Sequence, residues 1–267
     1  MKALILESPG EEPVLTLRDV PCPRVEPEEV LVRIAACGLC YHDISIMRGL
    51  LRRGVKRDLI LGHEISGTVV DVGDKVNDLK IGNRVVARLT ASCGQCLPCL
   101  KGNRYRCTNG HGIGHGLDGG LQEMITLNEQ DLMPIPDSID LRKACLLACP
   151  IGVALKGLRD AVRMVPGERI VVTGAGGGLG AHVAQVAAAL GGEVLAITTS
   201  PEKAIRLESL GLNGVFLADE LDFSEFVMAS TSDSGAEVVV NVVGSDMFHS
   251  SLASLSQRGR MLVLGEV

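Results

Sequence analysis

Four cysteines fall within fifteen residues, Cys93, Cys96, Cys99 and Cys107, a C-x2-C-x2-C-x7-C spacing on a loop that carries glycine and proline. Four thiolates on so short a loop can wrap one ion tetrahedrally with no other partner, which is how a closed structural zinc site is built. An iron–sulfur cluster would suit C-x2-C-x2-C, but the bacterial cluster run closes after three further residues and is followed by proline. A disulfide pair needs an oxidising compartment, and nothing else in the chain points to one. Zinc is therefore expected. With its coordination closed, such an ion holds a loop together and leaves no position for chemistry.

A second constellation is the run Gly174-Ala175-Gly176-Gly177-Gly178-Leu179-Gly180, which follows an apolar strand and opens a helix. Glycines in that setting let the backbone approach a pyrophosphate, and free N–H groups at the helix start hold its charge. The spacing Gly174, Gly176, Gly180 is one residue longer than G-x-G-x-x-G, and a tight structural turn is the competing reading. The strand–turn–helix context favours a dinucleotide. NAD sites place an acid at the end of the second strand, on the ribose 2′-hydroxyl. Here that place holds Thr198, Thr199 and Ser200, with Lys203 one turn into the next helix. Hydroxyls and a lysine suit a 2′-phosphate, so NADP(H) is expected over NAD(H), while Ser200 also fits as a helix cap. Val243, Leu264 and Gly265, at later strand ends, complete the expected cofactor contacts.

A third set is dispersed: Cys40, His63 and Cys149, with His42, Asp43 and Glu64 beside them. Two thiolates and an imidazole leave the fourth position of a catalytic zinc open. By spacing alone the set specifies nothing, because a single buried cysteine is usually a small hydrophobe, the reading given to Cys22, Cys37 and Cys145. His111 and His115, on a glycine-rich loop, read as local hydrogen-bonding residues, and His182 and His249, on helices, as structural.

The elements that position these residues change character along the chain. Up to about residue 155, short apolar runs at 1–7, 30–35, 65–72, 84–89 and 120–127 alternate with Gly, Pro, Asp and Asn turns, which predicts a mostly β region. From about residue 168, strands at 169–173, 193–198, 215–217, 236–243 and 261–264 alternate with helices, of which 179–190 and one from Pro201 to about 210 are the clearest. That alternation predicts a doubly wound parallel sheet. The chain stops just after the fifth strand where a dinucleotide sheet has six, so it reads as a fragment or early truncation.

Length and composition fit this picture: 267 residues, 46% hydrophobic and 22% charged, suffice for two globular domains. A net charge of −6 argues against nucleic acid or an anionic membrane as partner. The basic run 48–57 is broken by apolar residues and reads as a solvated loop. The uncharged stretch 144–155 is too short to span a bilayer. Nine cysteines with metal-type spacing, and no signal-peptide pattern, point to a reducing cytoplasm.

The ordered series Gly38-Leu39-Cys40-x-x-Asp43, Gly62-His63-Glu64, Val72-Gly73-Asp74, Gly82-Asn83-Arg84-Val85, the four-cysteine lobe, Asp118-Gly119-Gly120 and the glycine turn resembles the zinc-containing medium-chain dehydrogenase/reductases, the zinc alcohol dehydrogenase family, from end to end. The resemblance implies an α/β chain with a GroES-like, mostly β catalytic domain at 1–155, bearing the zinc lobe at 93–107. A Rossmann domain would follow at 156–267, lacking its last strand and the C-terminal return segment, with the active site in the cleft between the two. It implies that Cys40, His63 and Cys149 ligate catalytic zinc, with Glu64 and Asp43 behind them. It also implies hydride transfer between NADP(H) and a small alcohol, aldehyde or ketone, in a homodimer or homotetramer.

Two departures bear on that reading. Cys149-Pro150-Ile151-Gly152-Val153 differs from the small-residue run usual after that ligand, and His42 stands where a Ser or Thr normally begins the proton relay. A histidine can shuttle a proton, orient a ligand or line the pocket. An NADPH-dependent enoyl thioester or quinone reductase without catalytic zinc is the alternative enzyme, and an inactive nucleotide-binding fragment the non-enzymatic one.

Overall fold

The structure is a computed structural model that describes residues 1–218 and 222–265. The chain end at Val267, on which the expectation of a missing strand rests, lies outside the described residues. Two compact units are present, Met1–Cys149 and Pro150–Val267.

In the first unit the elements are β1 (Lys2–Ser8), β2 (Val14–Asp19), β3 (Glu29–Gly38), α1 (Tyr41–Met47), β4 (Leu59–Ile60), β5 (Glu64–Val72), β6 (Arg84–Ala87), β7 (Thr90–Ala91), α2 (Leu97–Leu100), β8 (His111–Gly112), β9 (Met124–Asn128), β10 (Leu132–Pro134) and α3 (Leu141–Ala144). Among the described residues, β10-β6-β5-β3-β9 form an antiparallel five-stranded sheet and β2-β1-β4 a smaller one. Val30, Val32, Ile65, Val69, Val85 and Leu127 fill the core against the larger sheet. Burying one sheet face in this way fixes the strand register, since a one-residue slip would expose the whole set. Register shifts in β3, between Leu31 and Val32 and between Ile34 and Ala36, redirect the strand end that leads to Cys40.

The second unit comprises α4 (Pro150–Lys156), β11 (Arg169–Val172), α5 (Gly178–Ala189), β12 (Glu193–Thr198), α6 (Pro201–Glu208), β13 (Gly214–Leu217), α7 (Ser224–Ser230), β14 (Ala236–Asn241), α8 (Phe248–Ala253) and β15 (Leu255–Val263). Among the described residues its strands are all parallel, in the order β13-β12-β11-β14-β15. This is the doubly wound order, with its switch point between β11 and β14. Ile170, Val171 and Val172, and Val238, Val239 and Val240, are all fully buried, as central strands covered on both faces require. The Ala/Val face of α5 buries Val183, Ala184 and Ala187 against Ile170, Val172, Val238 and Val240 on one face of the sheet.

The expected strand at 261–264 begins six residues earlier, at Leu255, and shifts register against β14 between Ala236 and Val238. The uncharged stretch 144–155 runs through the end of α3, a 3-10 turn and α4. No helix among the described residues is long and apolar enough to cross a membrane.

Candidate active site

β3 and β5 pair so that Gly38 lies opposite Glu64 and Cys37 opposite Ile65. This register brings the residues after β3 beside those before β5. The fit is close: a Cβ on Gly38 would lie 2.0 Å from Glu64 Oε2. Asp43, in the first turn of α1, fastens the two segments by accepting the N–H of Cys40 at 2.9 Å and that of Gly62 at 3.1 Å. Cys149 comes to the same place from far along the chain, because Ser66 Oγ on β5 donates to Leu141 O at 2.6 Å and seats α3 on the sheet.

The donor atoms of Cys40, His63, Glu64 and Cys149 consequently all lie within 4.8 Å of one another. Cys40 Sγ and Cys149 Sγ are 4.0 Å apart. Two thiolates about 2.3 Å from one tetrahedral zinc would be about 3.8 Å apart, so the donor set fits such an ion in kind and spacing. His63 Nδ1 lies 3.5 Å from Asp43 Oδ1, which leaves Nε2 as the ligating nitrogen.

The electrostatics suit a cation. The Cys149 hydrogen bond, and after it His63, hold the Cys40 thiol down at about 4 against burial. That same contact, with burial, drives Cys149 far above the thiol range. Burial opposes charge on His63, but Asp43 and Cys40 together raise it to about 10. Burial also pushes Glu64 up. Two sulfurs sharing one negative charge are what a divalent ion would convert into two thiolates.

The second cysteine group is local. The single turn α2, with Pro98 inside it, carries Cys96 and Cys99 together at 3.4 Å, and Cys107 lies 3.7 Å from Cys96 and 3.4 Å from Cys93. All nine cysteines are free thiols. Backbone N–H groups of Cys99 and Thr108 lower Cys96 to about 6, and those of Gln95 and Cys96 lower Cys93. Buried Asp131 anchors the lobe by accepting from Ser92 Oγ at 2.7 Å.

His42 has a partner that lies outside the expected site residues. Its Nε2 lies 3.2 Å from Nδ1 of His115, whose Nε2 is 3.0 Å from Arg53 O. A carbonyl only accepts, so His115 carries its proton on Nε2 and takes the His42 Nε2–H at Nδ1. Nδ1 of His42 is then an acceptor. Burial, and the charges of His63 and His115, lower His42 and keep it neutral. Its ring stands edge-on to His63 with centroids 5.5 Å apart. His111, exposed on β8, joins neither metal-type group. His182 Nδ1 donates to Gly178 O within α5, and His249 lies on α8.

In the second unit the glycine run sits where β11 ends and α5 begins. Gly174 has φ +59°, a left-handed conformation that glycine adopts without strain. A Cβ on Gly180 would lie 2.2 Å from Gly174 O, whereas one on Gly178 would meet nothing within 4 Å. Gly180 is thus required by packing, while Gly178 keeps open the space over the helix start. Gly176 faces the expected phosphate corner, since its Cβ would meet Thr198 Oγ1 and the Lys203 side chain at 2.8 Å. Ser200 caps α6 by accepting from Lys203 N at 3.4 Å, and Thr199 and Lys203 are exposed. Val243 packs on Gly174, and Leu264 N–H donates to Asn241 O at 2.9 Å. Buried Asn241 and Thr173, which sequence reasoning did not single out, brace this rim: Asn241 Oδ1 accepts from the N–H groups of Val243 and Gly244, and Thr173 Oγ1 accepts from Val242 N–H. A lone Asn at the end of an apolar strand was the only signal for Asn241.

Residues 26–137 match the family model described as Alcohol dehydrogenase GroES-like domain, and residues 178–266 that described as Zinc-binding dehydrogenase. Acryloyl-coenzyme A reductase of Sulfurisphaera tokodaii is 32% identical over 274 residues, spanning 100% of this chain and 77% of the relative. The chain belongs to the zinc-containing medium-chain dehydrogenase/reductase family. An alcohol dehydrogenase of Geobacillus stearothermophilus is also 32% identical, over 99% of this chain and 77% of its own length. Among solved structures, the alcohol dehydrogenase of Aeropyrum pernix superposes with a TM-score of 0.90 at 29% identity, over 100% of this chain and 79% of the other. The mostly β unit is accordingly GroES-like and the parallel unit Rossmann-like, as expected of this oxidoreductase family.

Proposed function

We propose that this protein is a zinc-dependent oxidoreductase that transfers hydride between NADP(H) and a small alcohol, aldehyde or ketone. The observation that carries this reading is the convergence of Cys40, His63, Glu64 and Cys149 from three chain segments. Cys40, His63 and Cys149 would hold zinc, with Asp43 orienting the imidazole and Glu64 behind it. Cys93, Cys96, Cys99 and Cys107 would hold a second, structural zinc. When bound, the first ion supplies Lewis-acid polarisation of a substrate oxygen, and the dinucleotide supplies or accepts the hydride.

The chain's own residues do the rest. Gly178 leaves room for the pyrophosphate, with Gly176, Gly177, Leu179, Gly180, Val243, Leu264 and Gly265 shaping the cradle. Thr198, Thr199 and Lys203 would take the 2′-phosphate, with Ser200 holding the helix start, and this is the basis for preferring NADP(H). His42 would accept the hydroxyl proton at Nδ1 while its Nε2 proton passes to Nδ1 of His115, which is half-exposed and can release a proton to water. In carbonyl reduction the path runs in reverse. The nine free thiols fit a reducing cytoplasm, and dimers or tetramers are the expected assembly. A screen of alcohols and carbonyls with both dinucleotides tests the reading; a larger kcat/KM with NAD(H) would overturn the cofactor preference.

A second reading is reduction of an activated C=C bond in an acyl-coenzyme A thioester. What favours it is the match, over the whole chain, to a relative named for that activity. Hydride from NADPH would add to the β-carbon and a proton to the α-carbon, giving the saturated thioester. Zinc analysis bears on the choice, because C=C reduction needs only the lobe ion.

A further inference from the structure

Five cations, Arg48, Arg52, Arg53, Lys56 and Arg57, lie within ten residues that contain no acid, in a chain of net charge −6. From sequence this run reads as a solvated loop. The structure gives it a particular place. Arg53 O accepts from His115 Nε2 at 3.0 Å, and Lys56 N–H donates to His115 O at 2.8 Å. His115 in turn contacts His42, which stands against His63. The loop is therefore tied, through two rings, to the metal-type donor group within the same unit.

Its charges are unequally engaged. Lys56 Nζ is held by both oxygens of Asp118 at 2.7 Å, and Arg52 Nε donates to Gly49 O at 2.7 Å. Among the described residues, the exposed guanidinium groups of Arg48, Arg53 and Arg57 have no carboxylate partner. Three unpaired guanidinium forks in one short loop repel one another and suit bidentate phosphate contacts. Leu50, 69% exposed in the same loop, offers apolar surface beside them.

We propose that loop 48–57 is the phosphate-binding arm for an acyl-coenzyme A substrate, with Arg48, Arg53 and Arg57 as its contacts; this rests on the second reading above. Coenzyme A joins its thioester to its phosphates by a long flexible arm. Its anionic end can therefore be held by a loop next to the reaction site while the acyl group enters that site. The loop then selects for the carrier rather than for the acyl chain.

The test compares the full chain with the variant R48A/R53A/R57A, whose three positions are exposed. Calorimetry measures free coenzyme A binding at low and moderate salt. Rates with NADPH are taken for acryloyl-coenzyme A and for acryloyl-N-acetylcysteamine, a thioester without phosphates. The variant is expected to bind coenzyme A about tenfold more weakly, with a flatter salt dependence, and to lose most of its preference for the coenzyme A ester. An unchanged coenzyme A affinity and preference would overturn the proposal. A raised KM for NADPH alone would overturn it too, by assigning the loop to the dinucleotide. Wild-type reduction of acryloyl-coenzyme A with no loss in the variant sinks the loop assignment and leaves the reductase reading standing. Salt-sensitive coenzyme A binding that the variant loses, without reduction of either thioester, supports the loop and sinks the reductase reading.

Discussion

Asp43 is fully buried, donates nothing when ionised, and yet touches three parts of the donor group: the N–H of Cys40, the N–H of Gly62 and Nδ1 of His63. Burial pulls its pKa up, but the His63 contact and the two N–H groups hold it below the usual carboxylate range. Removing its charge should loosen the imidazole without emptying the lobe. Asp43→Asn is expected to weaken zinc at this site by about 10–100-fold, read by competition with a chromophoric chelator, while lobe zinc is retained. His115 gives a second test, because the proposed relay needs its Nδ1 as acceptor. His115→Ala should lower kcat by about 100-fold at unchanged zinc content, and added imidazole should restore part of the rate. A loss that imidazole does not touch would mean that His115 only positions the loop. The His42–His115 contact is not visible in sequence, since the two residues are 73 apart.

At the scale of elements, the turn between β11 and α5 separates packing from binding. Gly180→Ala drives a Cβ into Gly174 O and should lower Tm markedly. Gly178→Ala meets nothing, so Tm should hold or rise, while NADPH affinity falls by about tenfold as the added methyl enters the pyrophosphate approach. Equal NADPH affinity in Gly178→Ala would contradict the cradle. The central strands carry a pH-dependent tie. Arg169 on β11 donates to Glu237 on β14 from its N–H at 2.8 Å and from Nε at 3.0 Å. The Arg169 hydrogen bonds hold the Glu237 carboxyl at about 2, below its ordinary 4.5. A depressed acid stabilises the fold above its unfolded value and ceases to do so as pH falls from about 4.5 through about 2. Glu237→Gln should therefore cost about 1 kcal/mol at pH 7, with the cost shrinking below pH 4.5 and vanishing only below about pH 2. Urea titrations across that range check it, and a loss independent of pH would refute the assignment. Strand periodicity made most of these elements legible, and β12 is bounded by Glu193 and Thr198 as its pattern predicts. The start of β15 was not legible, because Arg258, Gly259 and Arg260 carry no apolar alternation.

For the whole molecule, legibility followed sequence distance. The four-cysteine lobe is a local object, and its spacing alone specifies its geometry. The other donor group joins Cys40 to Cys149 across 109 residues, so only the family resemblance pointed to it, and only the fold shows the sulfurs 4.0 Å apart. The contacts of the basic loop with His115 were hidden for the same reason, since they depend on a fold that composition does not reveal. If both groups hold zinc as proposed, their different coordination predicts two behaviours toward chelators. The closed lobe should retain its ion under mild dialysis, while the three-ligand site should lose its ion first, with activity falling in step and Tm nearly unchanged. The most direct measurement is zinc per chain, by elemental analysis, in the wild type and in Cys40→Ser, with turnover recorded on the same samples. Two zinc ions in the wild type, one in the variant, and loss of carbonyl reduction with the missing ion are the predicted result. One zinc ion in a fully active wild type would contradict the assignment of Cys40, His63 and Cys149 to catalysis.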